Sequence, residues 1–77
     1  MQVTIKLSGN LACIHTSLPM EMVMEFTVPV TIGQLLIELA ISPLIITTVV
    51  VNNQLKDQDF LLTEDSEVLL IGPMAGG

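Results

Sequence analysis

Only one stretch of this 77-residue chain has a helical period, and it is short. In "TIGQLLIELAISP", Ile32, Leu35, Leu36, Leu39 and Ala40 recur at the spacing that gathers them into one apolar stripe. Thr31 stands where a helix N-cap belongs and Gln34 follows three residues later, the spacing of a capping box. Pro43 disfavours helical geometry at Ser42, so the helix is predicted to end there or just before. Ile37 falls off the stripe at the flank of the polar face, where it would add apolar surface. One amphipathic helix has to bury its stripe against something else, and the rest of the chain alternates like strand.

Val3, Ile5 and Leu7 alternate with Thr4, Lys6 and Ser8, the period of a half-buried strand, and Gly9-Asn10 ends it. After Pro19 a second alternation puts Met20, Met22, Met24, Phe26 and Val28 on one face and Glu21, Val23, Glu25 and Thr27 on the other. These two strands read as an antiparallel hairpin whose connection, residues 9–19, is longer than the usual two to five residues. Downstream, "IITTVVV" is β-branched throughout, a strong strand signal. Asn52-Asn53 makes a turn, since Asn tolerates the left-handed region better than most residues. Residues 54–63 read as irregular with a short edge strand near Phe60, and "EVLLI" is greasy enough for a central strand buried on both faces. The predicted class is α+β: a mixed sheet of four to five strands with one main helix packed across it. A β-grasp places the first and last strands side by side and parallel in the sheet centre, which suits "EVLLI".

Composition narrows the functions. Hydrophobic residues make up 51% of the chain and charged residues 13%, against roughly a quarter in an average soluble domain. Polar groups are too few to cover the outside. Either the surface tolerates grease, or part of it belongs to a partner or to a self-association interface. Eight acids face only Lys6 and Lys56, for a net charge of −6. Nucleic-acid binding depends on Lys and Arg against phosphates, so that class is excluded, and an anionic membrane surface is disfavoured for the same reason. A partner with a basic groove fits better. "MQVTIKLSGN" lacks a continuous apolar core, so no secretory leader is expected there, and no apolar run approaches membrane-spanning length. A single Cys forms no internal disulfide, which fits a cytoplasmic location.

Groups able to do chemistry are few. Cys13 and His15 form a C-x-H pair, two ligands where a structural zinc site takes four, and they have no third group to orient a nucleophile. Asp57 with Asp59 and Glu64 with Asp65 sit in predicted turns, where solvated acids are the ordinary reading. Met20, Met22 and Met24 read as packing under the helix, with an adaptable binding surface as the alternative. What remains is the end, "GPMAGG". At about 7% glycine usage, a terminal Gly-Gly pair arises by chance about once in two hundred chains. Two residues without Cβ are slim and adopt backbone angles closed to others, so such an end can thread a narrow channel or simply fray. Gly77 would present a carboxylate that becomes electrophilic once joined to a leaving group such as AMP, with little steric hindrance to attack.

With these features in place, the chain resembles the MoaD/ThiS family of ubiquitin-like sulfur carriers, small β-grasp proteins. The likeness is sharpest in "VVVNNQLKDQDFLLTEDSEVLLIGPMAGG": a strand, an Asn-led turn, a Leu before an acidic turn, a Glu-Val strand start and a P-x-A-G-G end. "TIGQLLIEL" is similar to the family's helix start. Two departures concern turns: Asn52-Asn53 replaces the usual Asn-Gly, and Asp65-Ser66 the common Gly-Asp.

The resemblance implies a β-grasp body over residues 1–73 and a Gly-Gly tail over 74–77. It also implies a carrier that is a substrate rather than an enzyme. An adenylating activating enzyme would use Mg-ATP on the Gly77 carboxylate, and a sulfur donor would replace AMP to leave a thiocarboxylate. Gly76 and Gly77 would carry the chemistry and Pro73, Met74 and Ala75 would meet the partner, with no cofactor or metal bound by the chain itself. The acceptor would be a pterin precursor in the large molybdopterin synthase subunit, or the thiamine thiazole in thiazole synthase. "GPMAGG" and the long hairpin connection look more like the MoaD branch. A protein modifier ending in an isopeptide bond, and a plain interaction module, are the other uses of such a chain.

Overall fold

The computed structural model describes residues 1–8 and 20–72. Among these residues, seven strands and one α-helix follow in the order β1 (Gln2–Ser8), β2 (Glu21–Glu25), β3 (Val30–Thr31), α1 (Ile32–Glu38), β4 (Thr48–Val51), β5 (Gln54–Lys56), β6 (Leu61–Leu62) and β7 (Ser66–Ile71). A 3₁₀ turn, Pro43–Ile45, lies between α1 and β4. Five strands form one mixed sheet in the order β2-β1-β7-β4-β5, and β3 pairs with β6 beside it. First and last strands do run parallel in the middle: Val3 faces Ser66 and Ser8 faces Ile71. β2 is antiparallel to β1, and β4 is antiparallel to β7 and to β5. This small α+β arrangement is consistent with a β-grasp-like fold.

The core lies between one sheet face and the helix. Val3, Ile5, Leu7, Val49, Val51, Val68 and Leu70 from the sheet are buried together with Ile32, Leu35, Leu36 and Leu39 from the helical segment. Each such side chain contributes roughly 1.5–3 kcal/mol relative to exposure, so this layer supplies most of the driving force. The first turn of α1 is closed as its sequence suggests. Thr31 Oγ1 accepts from the Gln34 N–H at 3.1 Å, and Gln34 Oε1 accepts from the Thr31 N–H at 2.8 Å. Ile32 and Gly33 donate to the carbonyls of Phe60 and Gln58, so residues 58–60 hold the helix start.

The far end of the helix differs from expectation. α1 stops at Glu38 rather than near Ser42, and Ala40 leaves the apolar stripe to adopt φ 58°. Ala40 N–H donates to Ile37 O at 3.0 Å, and Ile41 N–H donates to Leu36 O at 2.9 Å. These two bonds make a Schellman cap, and Ile41 and Leu36 are both buried in the core, the apolar pair that frequently accompanies that motif. Reversing the chain this way puts Ile41 into the core, a gain that outweighs an L-residue's reluctance to enter the left-handed region.

Other corrections concern strands. The β-branched run becomes strand only from Thr48, because Ile45 closes the 3₁₀ turn and the register with β7 begins at Thr48 opposite Ile71. A short strand does lie next to Phe60, at Leu61–Leu62, but it pairs with β3 outside the main sheet, whose outer edge is β5 within the stretch read as irregular. β2 ends at Glu25, so Val28 lies exposed beyond its alternation, as does Met20 before it. β7 is central but only Val68 and Leu70 are fully covered; Leu69 and Ile71 are half-buried on the side away from the helix. Ile37 is exposed, as its place off the stripe predicts.

Candidate functional site

Pro73, Met74, Ala75, Gly76 and Gly77, the residues expected to carry the chemistry, lie outside the described residues, as do Cys13 and His15. Described instead is the base from which that segment continues. β7 reaches it from the sheet centre, ladder-bonded on both sides. At Ile71 and Gly72 the chain is held three further ways. Gly72 N–H donates to the Ser8 carbonyl at 3.3 Å, and Thr47 N–H donates to the Ile71 carbonyl at 2.9 Å. The Thr47 hydroxyl lies 3.0 Å from the Ile71 carbonyl and 3.3 Å from that of Gly72. Gly72 is buried. Thr47 was invisible as an anchor in the sequence, since one Thr in a β-branched run gives no hint of an acceptor 24 positions away.

The sheet face around this base is open. Register places Glu21, Lys6, Leu69, Val50 and Leu55 in one row across all five strands. Ser8, Ile71 and Thr48 form the next row, at the Gly72 end. The row is apolar toward β5, where Leu55 is 74% exposed, and charged toward β2. Lys6 Nζ sits 3.1 Å from Glu67 Oε1 and 3.9 Å from Glu21 Oε1. The hydrogen bond to Glu67, followed by the charges of Glu67 and Glu21, raises the Lys6 pKa above its usual 10.5. Asn52 ties the β4–β5 turn to β7: its N–H donates to the Glu67 carbonyl, and its Oδ1 accepts from the Glu67 N–H, both at 2.9 Å. Asn52 and Asn53 both have positive φ, at 50° and 69°, the pairing of a two-residue type I′ hairpin. The sequence identified the turn residues, but not this link to β7.

The turn acids behave as solvated turn acids. Asp57 Oδ1 accepts from the Asp59 N–H, and Asp65 Oδ1 accepts from the Gln2 N–H. Among the described residues no three His, Cys, Asp or Glu side chains gather where they could hold a metal ion. A recess of about 420 Å³ opens between Ile46–Thr48 and the β5 edge, with Lys56 and Asp57 on its rim. Lys56 Nζ stands 4.8 Å over the Phe60 ring, a contact that holds the cation against the body. Among the described residues no helix is long and apolar enough to cross a membrane. No family model matches the chain, and no curated protein matches it.

Proposed function

We propose that this chain is a ubiquitin-like β-grasp sulfur carrier whose Gly77 carboxylate is adenylated and converted to a thiocarboxylate. The observation that carries the reading is the anchored base: the central strand hands the chain on at Gly72, held by Ser8 and Thr47, five residues before Gly77. A rigid head with a slim end suits delivery of that end into another protein's active site. Catalysis then belongs to the partner. The Gly77 carboxylate oxygen attacks the α-phosphorus of Mg-ATP and pyrophosphate leaves. A sulfide-equivalent donor attacks the acyl carbon and AMP leaves, so one oxygen is exchanged for one sulfur. The acceptor is the pterin precursor of molybdopterin synthesis in a large synthase subunit, and the setting is cytoplasmic.

Intact mass spectrometry tests the proposal. The protein is incubated with Mg-ATP, an activating enzyme proven on its own carrier and a sulfur source. Replacement of one oxygen by sulfur on the residue at the C-terminus is the expected result. Conjugates on lysines of other proteins would make it a modifier, and no change would leave an interaction module. The reading requires Gly77 to be the terminal residue of the natural protein, which the mass of the purified natural protein checks. Deleting Gly77 is expected to abolish transfer and leave Tm nearly unchanged, because the anchoring bonds described lie at Ile71 and Gly72. A large fall in Tm would make the end structural.

A further inference from the structure

β2 is an end strand of the sheet, and its outer edge has no partner among the described residues. Its ladder phase is set by bonds at both ends. Leu7 N–H donates to Met20 O at 2.8 Å, Phe26 N–H donates to Met1 O at 2.9 Å, and the Met1 ammonium donates to Phe26 O at 2.7 Å. Bonded and non-bonded pairs alternate in an antiparallel ladder. Met20, Met22, Met24 and Phe26 therefore turn their backbone groups to β1, and Glu21, Val23 and Glu25 turn theirs outward. The same three residues are exposed, Val23 at 55%. The outer edge thus offers N–H and C=O groups from Glu21, Val23 and Glu25, with side chains reading acid, apolar, acid.

That pattern decides what pairs with it. A second copy added antiparallel about Val23 would set Glu21 against Glu25 twice, and one added parallel and in register would set each Glu beside its twin. Like charges directly opposite are destabilising. The chain's own cations, Lys6 and Lys56, are not spaced to answer two acids four residues apart. We propose that the outer edge of β2 takes up an extended segment of a partner protein by strand addition, a segment with a basic residue two positions before and two after a central apolar one. Backbone bonds to Glu21, Val23 and Glu25 supply the attachment, and the flanking cations supply the selection. The intervening residues of the added strand lie on the helix side beside half-buried Met22 and Met24. At the Glu25 end the added strand runs toward a groove of about 320 Å³ lined by Phe26, Val28, Val30 and Ile37.

This surface is separate from the Gly-Gly end, and its test does not use Gly77. Isotope-labelled protein is titrated with the blocked peptide SKVIVKS and with SEVIVES as its charge-reversed control. The expected result is shifts confined to β2 and the groove residues, with slowed hydrogen exchange at the Glu21, Val23 and Glu25 amides. The acidic peptide should bind at least about tenfold more weakly, since each facing pair changes from attraction to repulsion. The double variant Glu21→Lys, Glu25→Lys should reverse the preference. Val23→Pro removes an outward N–H without breaking a bond to β1, so it should keep the fold and lose binding. Equal affinity for both peptides, unchanged binding in Val23→Pro, or shifts elsewhere on the sheet would overturn the proposal. So would a dimer protecting the same amides without peptide. Deleting Gly77 should leave peptide binding unchanged, which keeps failure here distinct from failure of the carrier reading.

Discussion

The two faces of the five-stranded sheet are built from the same strands and the same apolar residue types, yet they do different things. On the helix side Val3, Ile5, Leu7, Val68 and Leu70 are all essentially inaccessible. On the other side Leu69, Val50 and Ile71 are half-buried and Leu55 is exposed, next to an acidic half holding Glu21, Glu25 and Glu67. The helix makes the difference: a strand's apolar alternation has no meaning for stability until something covers it. One face holds the molecule together, and the other is left only partly covered by the described residues.

Several measurements would break or sharpen this contrast. The largest effect is expected from Leu70→Ala, which empties a site in the closed layer and should cost about 2–5 kcal/mol in chemical denaturation. Leu69→Ala, one residue away on the open face, should cost about 1 kcal/mol or less. Equal losses would mean that the open face is not open in solution. Thr47→Val removes a hydroxyl from the anchored base and should cost about 1 kcal/mol. In the same variant, hydrogen exchange at Gly72 should rise more than at Leu70. Strengthening the closed side alone is the reverse test. Ala40→Gly relieves a left-handed L-residue and should raise stability by about 0.5–1 kcal/mol without altering the open face.

The smallest effect concerns Lys6. Its raised pKa means that the native state holds its proton more tightly than the unfolded chain. The associated stability is therefore present below about pH 10.5 and fades as pH rises through the raised value. Lys6→Met should remove that alkaline dependence and leave a slight change near neutrality, read as the slope of stability against pH. A surface pair like this one is screened by water and salt, so an unchanged slope would show that its geometry is not held in solution.

Much of the architecture was legible, and for local reasons. Thr31 and Gln34 cap the helix they flank with bonds spanning three residues. Val3, Ile5 and Leu7 bury as their alternation says, and Asn52-Asn53 turns where two Asn tolerate positive φ. Distant bonds were harder to see. Ala40 has the spacing of a stripe residue; the backbone bonds from Ala40 to Ile37 and from Ile41 to Leu36, with Ile41 buried, make it part of a cap. Ile45 and Ile46 are as β-branched as Val49, but a strand exists only where a partner offers a ladder, and β7 does so from Thr48. The candidate chemistry stood in the sequence as a Gly-Gly pair, whereas the Thr47 clamp beneath it joins residues 24 and 25 apart.

The sequence by itself determined the class of element at each place, the capped helix start, the alternating core positions and the excess of acid over base, because each depends on neighbours within a few residues or on composition alone. Tertiary structure decided which sheet face the helix covers, where the helix stops, which Asn bonds to β7, how the chain is held at Gly72 and which backbone groups of β2 face outward. These depend on which segments meet, and distant contacts form only when the whole chain packs at once.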